Sequence, residues 1–298
     1  MKWPLHDRPI PDRKIPLYNR FYLHASAATQ SDPALVWGTE VEVEALQAFL
    51  RDRNRSGRVV ITPVHALMRA TALALTRFPE LNVRIVGRRI FAFRDVNVRL
   101  AFFHRRNRET DLLVISAANT KSIEEIALEV WHVLLQAARN ERDRDRDLAR
   151  LRRLSAFWLR QLLRLYNFAD RHFRLPVVGR LDATRAACAT INDLSFPGAP
   201  LIRAYKPTRF PDQSDSLNLT IGPVESKVIE RGGRFETVPV MPVFMRADHR
   251  VVDAYQAGQF LGFVCDLLSE PRRLEEAAAE ERVPVSRSAI GELARSKD

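Results

Sequence analysis

The sequence predicts an α/β fold, a mixed β-sheet flanked by helices, and two observations carry that prediction. In the first half, a helix, a meander of short alternating runs, a further strand and a second helix follow one another. Toward the end, the apolar run Val238 to Met245 reads as a buried strand and Tyr255 to Leu268 as an amphipathic helix. Between these two lies Asp248-His249-Arg250-Val251-Val252-Asp253. A histidine at a strand-to-helix junction can be held rigidly with its ring toward a cavity. Its ordinary pKa lies near neutrality, as a general base requires.

Residues 1–20, rich in proline and arginine, read as an extended N-terminal arm. Val36 to Glu44 alternates, with Val41 and Val43 between Glu40, Glu42 and Glu44, as a half-buried strand does; Ala45 to Arg53 then reads as a helix. Thr62-Pro63 offers a capping hydroxyl followed by proline in the first turn. The helix it starts carries Val64, Leu67, Met68, Thr71 and Leu75 on one face and stops before Pro79. Val83 to Val86, Ile90 to Phe93 and Val96 to Phe102 read as consecutive strands, and Asp111 to Ser116 as another. Ser122-Ile123-Glu124-Glu125 is a capping box for a helix with Ile126, Val130, Val133, Leu134 and Ala137 at helical spacing. Residues 272–298 read as a short helix and a frayed tail.

A chain of 298 residues, 46% hydrophobic and 28% charged, is of globular composition and can bury a large core, about three quarters of its unfolded surface. The net charge of +11 points to anionic partners in general. Arginine far outnumbers lysine, however, a bias that GC-rich coding produces by itself. With no zinc-finger spacing and no RNA-recognition signature, nucleic acid is not an expected partner. Cys188 and Cys265 sit in apolar surroundings and offer neither a disulfide framework nor metal spacing. No run reaches signal-peptide or transmembrane length, so the expected compartment is the cytoplasm.

Residues 140–182 stand apart. Arg139 to Arg153 is a mixed-charge run that reads as a solvated helix or linker. Leu151, Leu154, Trp158, Leu162, Leu165 and Tyr166 then fall at helical spacing, with Arg153, Arg160 and Arg164 between them. Between Arg150 and Arg174 there are seven arginines and one acid, Asp170. A basic amphipathic helix of this kind either packs its stripe on its own protein or docks on an anionic membrane surface or a protein partner.

The string Asp248 to Asp253, followed by a helix carrying Ala257, Phe260 and Leu261, resembles the signature of the 2-oxoacid dehydrogenase acyltransferase (E2) catalytic domain. Four further segments resemble that family in order: Phe78 to Asn82, Lys121 to Ala127, Thr190 to Ser195, and Leu217 to Gly222. Chloramphenicol acetyltransferases share the fold but usually carry a second histidine where this chain has Asp248, so the resemblance points to the E2 branch. It implies the coenzyme-A-dependent acyltransferase fold, with residues 1–298 as a single catalytic domain and residues 140–182 as an insertion.

The resemblance also implies a reaction: acyl transfer between a coenzyme A thioester and a thiol, hydroxyl or amine, with no metal and no covalent enzyme intermediate. His249 takes the place of the family's general base. Asp253 stands where the family aspartate pairs with an arginine and fixes the histidine loop, Arg20 being a candidate partner. Asn192 stands where the family sets a serine or threonine hydroxyl on the oxyanion of the tetrahedral intermediate. Its amide could donate in the same way, Thr190 could take part, or Asn192 is a strand-edge turn residue without a catalytic part. Family members are trimers with the active-site channel between subunits, so a homotrimer or a multiple of trimers is expected.

Two departures leave other readings open. The family's Asp-Gly is Asp253-Ala254 here, which costs about 1 kcal/mol only if the backbone there is left-handed. There is no lipoyl-lysine segment, so a lipoyl acceptor would be supplied in trans. The alternatives are a catalytically degenerate trimeric scaffold or regulatory module, and a membrane-surface acyltransferase with a lipid-like acceptor, peripheral at the membrane.

Overall fold

The computed structural model describes residues 7–11, 34–57, 59–86, 89–104, 109–139, 157–158, 161, 165, 168–169, 186–195 and 216–275. Its strands are β1 (Asp7–Pro9), β2 (Ala34–Glu42), β3 (Val83–Val86), β4 (Arg89–Phe93), β5 (Val98–His104), β6 (Glu109–Ile115), β7 (Ala189–Asp193), β8 (Leu217–Ile221), β9 (Glu225–Arg231) and β10 (Arg234–Asp248). The helices are α1 (Glu44–Ser56), α2 (Pro63–Arg77), α3 (Ile123–Arg139) and α4 (Ala254–Ser269).

Seven strands form a mixed sheet in the order β2-β10-β8-β7-β5-β6, with β9 pairing β10 as a hairpin. The β5–β7 and β7–β8 pairs are parallel, while β10 runs antiparallel to both β2 and β8. A second sheet of three strands, β1-β4-β3, is antiparallel throughout. It includes the only described part of the N-terminal arm apart from residues 10 and 11.

Side chains alternate across a strand, so each register fixes two faces. On one face Val98, Leu100, Ala189, Ile191, Leu217, Leu219, Val243, Met245 and Ala247 are buried together with apolar residues of all four helices. Helix α2 is buried almost all round, from Val64 to Leu75, because α3 and α4 pack against it and the sheet lies beneath. Arg69, fully buried within α2, donates to the carbonyls of Ala118, Asn119 and Leu274 and so ties the helix to two short helical turns.

The strands and helices expected within the described residues are found, with shifted ends. Ser122 and Glu125 form the expected reciprocal cap of α3. The strand expected from Val96 starts at Val98. Asn97 explains the delay: its side chain donates to the Ala186 carbonyl and accepts from the Ala117 N–H, which holds residues 96 and 97 in a loop. Of residues 140–182, only 157, 158, 161, 165, 168 and 169 are described, all helical. The tail forms a helical turn as far as Glu275, and residues 276–298 lie outside the described residues.

Candidate active site

Strand β10 ends at Asp248, five residues follow of which the first three form a turn, and α4 starts at Ala254. Two carboxylates frame that turn. Asp248, wholly buried, accepts from the Arg250 backbone N–H at 3.1 Å and from the Arg250 guanidinium at 2.9 and 2.5 Å. Asp253 is the N-cap of α4, accepting from the Gln256 N–H at 2.8 Å while the Gln256 side chain reaches back toward the Asp253 N–H. Thus the arginine–carboxylate pair of this loop is Arg250 with Asp248. Among the described residues Asp253 pairs with no arginine, and Arg20 lies outside them.

His249 is clamped between these two anchors. Its Nδ1 lies 2.8 Å from the Val252 carbonyl oxygen. A carbonyl only accepts, so in the neutral ring Nδ1 carries the proton and Nε2 the lone pair. The backbone therefore selects the tautomer that a base requires.

The face of the sheet opposite the apolar core is polar. Registers place Arg99, Thr190, Asn218 and Arg246 in one row, and Ala101, Asn192, Thr220 and Phe244 in the next. Thr190 Oγ1 accepts from Arg99 Nε at 3.0 Å and Nη2 at 2.7 Å, so it anchors a buried cation beneath the row. Asn192, half-buried, donates through Nδ2 to Asn218 Oδ1 at 2.8 Å and makes weaker contacts at 3.4 Å with the Leu219 carbonyl and Thr220 Oγ1. One amide hydrogen is thus firmly committed and the other only loosely.

Sequence reasoning overlooked Arg99, Asn218, Thr220 and Arg246 as neighbours of the candidate site. Their signal is polar residues at every second position of otherwise apolar strands.

The structure does not bring His249 and Asn192 together within one chain. Asn192 shares the rung of Thr220 and Phe244, and His249 follows Asp248, four rungs further on. That is about 13 Å along the strands, plus two strand spacings, about 10 Å, across them.

The profile of the 2-oxoacid dehydrogenases acyltransferase (catalytic domain) family matches residues 22–150 and 213–275, well over half of the chain. The chain belongs to this family. The E2 match is interrupted over residues 151–212, the interval that holds both the arginine-rich stretch and β7. No curated protein matches the sequence.

Among solved structures, a probable dihydrolipoamide acetyltransferase from Listeria monocytogenes 4b F2365 is 20% identical, over 83% of this chain and 88% of that one, with a TM-score of 0.58. The dihydrolipoamide acetyltransferase of Azotobacter vinelandii is 18% identical over 88% and 93%, TM-score 0.59. In that enzyme a serine, a histidine and an asparagine four residues after the histidine have been investigated for catalytic roles. The cubic core of a pyruvate dehydrogenase complex is likewise 18% identical over 88% and 93%, TM-score 0.57. These likenesses show the fold, that of the E2 catalytic cores.

The backbone at Ala254, where the resemblance puts a glycine, is not left-handed. Ala254 opens α4, and Ala117 is the one non-glycine residue with positive φ among the described residues. Alanine therefore sits there without strain. Neither cysteine offers a nucleophile: burial, with the Asp266 charge second, pushes the Cys265 thiol up to about 12, and Cys188 is buried and donates to Asn82 Oδ1. Among the described residues no group of three or more His, Cys, Asp or Glu side chains gathers as metal ligands would.

Proposed function

We propose that this E2-family protein transfers an acyl group between a coenzyme A thioester and a thiol, hydroxyl or amine acceptor, with His249 as general base. The observation that carries the reading is the Nδ1 contact with the Val252 carbonyl, which leaves the lone pair on Nε2. Nε2 takes the proton of the acceptor as its sulfur, oxygen or nitrogen attacks the thioester carbonyl carbon. The carbonyl electrons move onto oxygen, and the collapse of that oxyanion expels coenzyme A thiolate, which recovers the proton from His249. Asn192 Nδ2 donates to the oxyanion with the hydrogen that its 3.4 Å contacts hold loosely. One such donor is worth about 10²–10³ in rate. A lipoyl thiol supplied in trans fits this scheme.

Because one chain keeps His249 and Asn192 apart, the site is composite: His249 of one copy meets Asn192 of another. A homotrimer, or a multiple of trimers, is the assembly this requires, in keeping with the cubic core among its structural relatives. The spacing of His249 and Asp253 equals that of the histidine and asparagine in the Azotobacter enzyme, though here the second residue acts through the cap of α4.

The test follows free-thiol release from a panel of acyl-coenzyme A thioesters, with dihydrolipoamide, alcohols and amines as acceptors. His249→Gln is expected to lower turnover by about 10²–10⁴. If the folded wild-type protein turns over no thioester, the enzyme reading falls and a degenerate scaffold takes its place.

One observation favours a second reading, in which the same chemistry takes place at a membrane surface. Phe157, Trp158, Leu165 and Phe168 are each more than half exposed, and the helical spacing read from the sequence puts them within about 100° of one another. Seven arginines lie within the surrounding sequence from Arg150 to Arg174. Flotation with phosphatidylserine vesicles but not with phosphatidylcholine vesicles is expected, lost in Trp158→Glu/Leu165→Glu. Protein that stays at the bottom of the gradient with both vesicle types rules this reading out.

A further inference from the structure

An apolar cavity of about 680 Å³ lies between the start of α2, strand β5, helix α3 and the end of β7. Leu100, Phe102, Val130, Trp131 and Leu134 supply most of its wall. The size is that of a site for a drug-sized ligand, and no step of the proposed reaction uses it.

Its polar lining is sparse and specific. His65 lines the cavity, and its Nδ1 accepts from the Thr62 N–H at 3.0 Å, so the proton of the neutral ring resides on Nε2. That Nε2 is buried and has no hydrogen-bond partner. Burial lowers the His65 pKa to about 4, which keeps the ring neutral at pH 7. Asp193 stands at the opposite wall, its Oδ1 engaged by the backbone N–H and hydroxyl of Ser195. The cavity is thus mainly apolar, with Asp193 the one acidic residue of its lining, and it fits a hydrocarbon group better than an anionic one.

Its position relates it to Asn192. Strand β7 stops at Asp193, while its neighbour β5 continues to His104. The β5–β7 ladder therefore ends at the rung of Ala101 and Asn192, while the Leu194 N–H still donates to the Ile221 carbonyl of β8. Ala101 and Asp193 both border the cavity, and Ala101 faces the polar side with Asn192 whereas Leu100 and Phe102 face the helices. The cavity lining thus reaches the residue next to Asn192, at the end of the β5–β7 ladder.

We propose that the cavity receives the acyl chain of the thioester substrate, and that this chain is an apolar one much longer than acetyl. This assignment rests on the acyltransferase reading for the identity of its occupant. The predicted order is that octanoyl-coenzyme A binds more tightly than acetyl-coenzyme A. Buried methylene groups set the difference, and incomplete burial of the chain still leaves about tenfold or more.

The experiment is calorimetric titration of the full-length protein with acetyl- and octanoyl-coenzyme A in the absence of acceptor. It is repeated on Leu134→Trp, which fills the cavity from α3. The expected result is a preference of about tenfold or more for octanoyl-coenzyme A in the wild type, abolished in Leu134→Trp. Equal affinities in the wild type overturn the proposal, as does an undiminished preference in folded Leu134→Trp. If Leu134→Trp does not fold, the wild-type ratio decides alone.

Binding is read without turnover, so the two readings fail separately. Chain-length preference without transfer to any acceptor keeps the cavity and removes the acyltransferase. Transfer without chain-length preference does the reverse.

Discussion

Arg250 turns back onto Asp248, two residues before it, and both are almost completely buried. Burying an ion pair yields little net stability, because desolvation offsets most of the attraction, but breaking one leaves an uncompensated charge inside. The pair's effect here is geometric: it closes the turn that carries His249. Asp248→Asn is expected to cost about 3–5 kcal/mol in urea unfolding. Adding Arg250→Met to it should recover part of that loss by removing the stranded charge. A single substitution with less than about 1 kcal/mol of effect, within the range of exposed pairs, would show that the turn is held by other contacts.

At the scale of elements, helix α2 depends on an unusual cap. Thr62 accepts from the His65 N–H side of the first turn, and the His65 ring, instead of a Glu or Gln side chain, accepts from the Thr62 N–H. Protonation at Nδ1 destroys that acceptor, and burial opposes the charge as well. The folded-state pKa of about 4 lies below the ordinary 6.5. Stability from this group is therefore fully present above pH 6.5. It is lost as the pH falls from 6.5 through 4, because the unfolded chain takes up the proton first. The loss amounts to about 3 kcal/mol over that window. Urea unfolding of wild type and His65→Gln at pH 7 and pH 4.5 should show a steeper decline in the wild type. Parallel declines would mean that His65 is solvated.

At the scale of the whole molecule, the decisive fact is that His249 and Asn192 lie at opposite ends of the parallel pair β7–β8. On the proposed composite site of a trimer, a chain with His249→Gln and a chain with Asn192→Ala each lack one half of every site in their own assemblies. In co-expressed mixed trimers, some sites draw an intact His249 from one chain and an intact Asn192 from the other. Thiol release from the mixture is expected to exceed that of either variant alone. No recovery from confirmed mixed trimers would remove Asn192 from the site and, with it, the composite arrangement.

Much of this protein is legible in its sequence because the relevant physics is local. Period-2 and period-3.6 patterns mark the strands and helices, Thr62-Pro63 and Ser122 to Glu125 mark helix starts, and the string around His249 marks the strand-to-helix turn with its cap. What sequence distance conceals is pairing. That Asp253 caps α4 while Asp248 takes the arginine depends on which way two carboxylates turn within six residues. That Ala254 is unstrained depends on a backbone angle. The rows joining Arg99 to Thr190 and Asn192 to Asn218 join residues 91 and 26 positions apart, and only strand order aligns them. The cavity beside the end of the β5–β7 ladder exists only once those strands lie side by side. The sequence by itself determined the α/β class and the E2 family, and it placed His249 at the strand-to-helix turn. Tertiary structure alone decided what each polar group touches, because hydrogen bonds and cavities depend on distance in space.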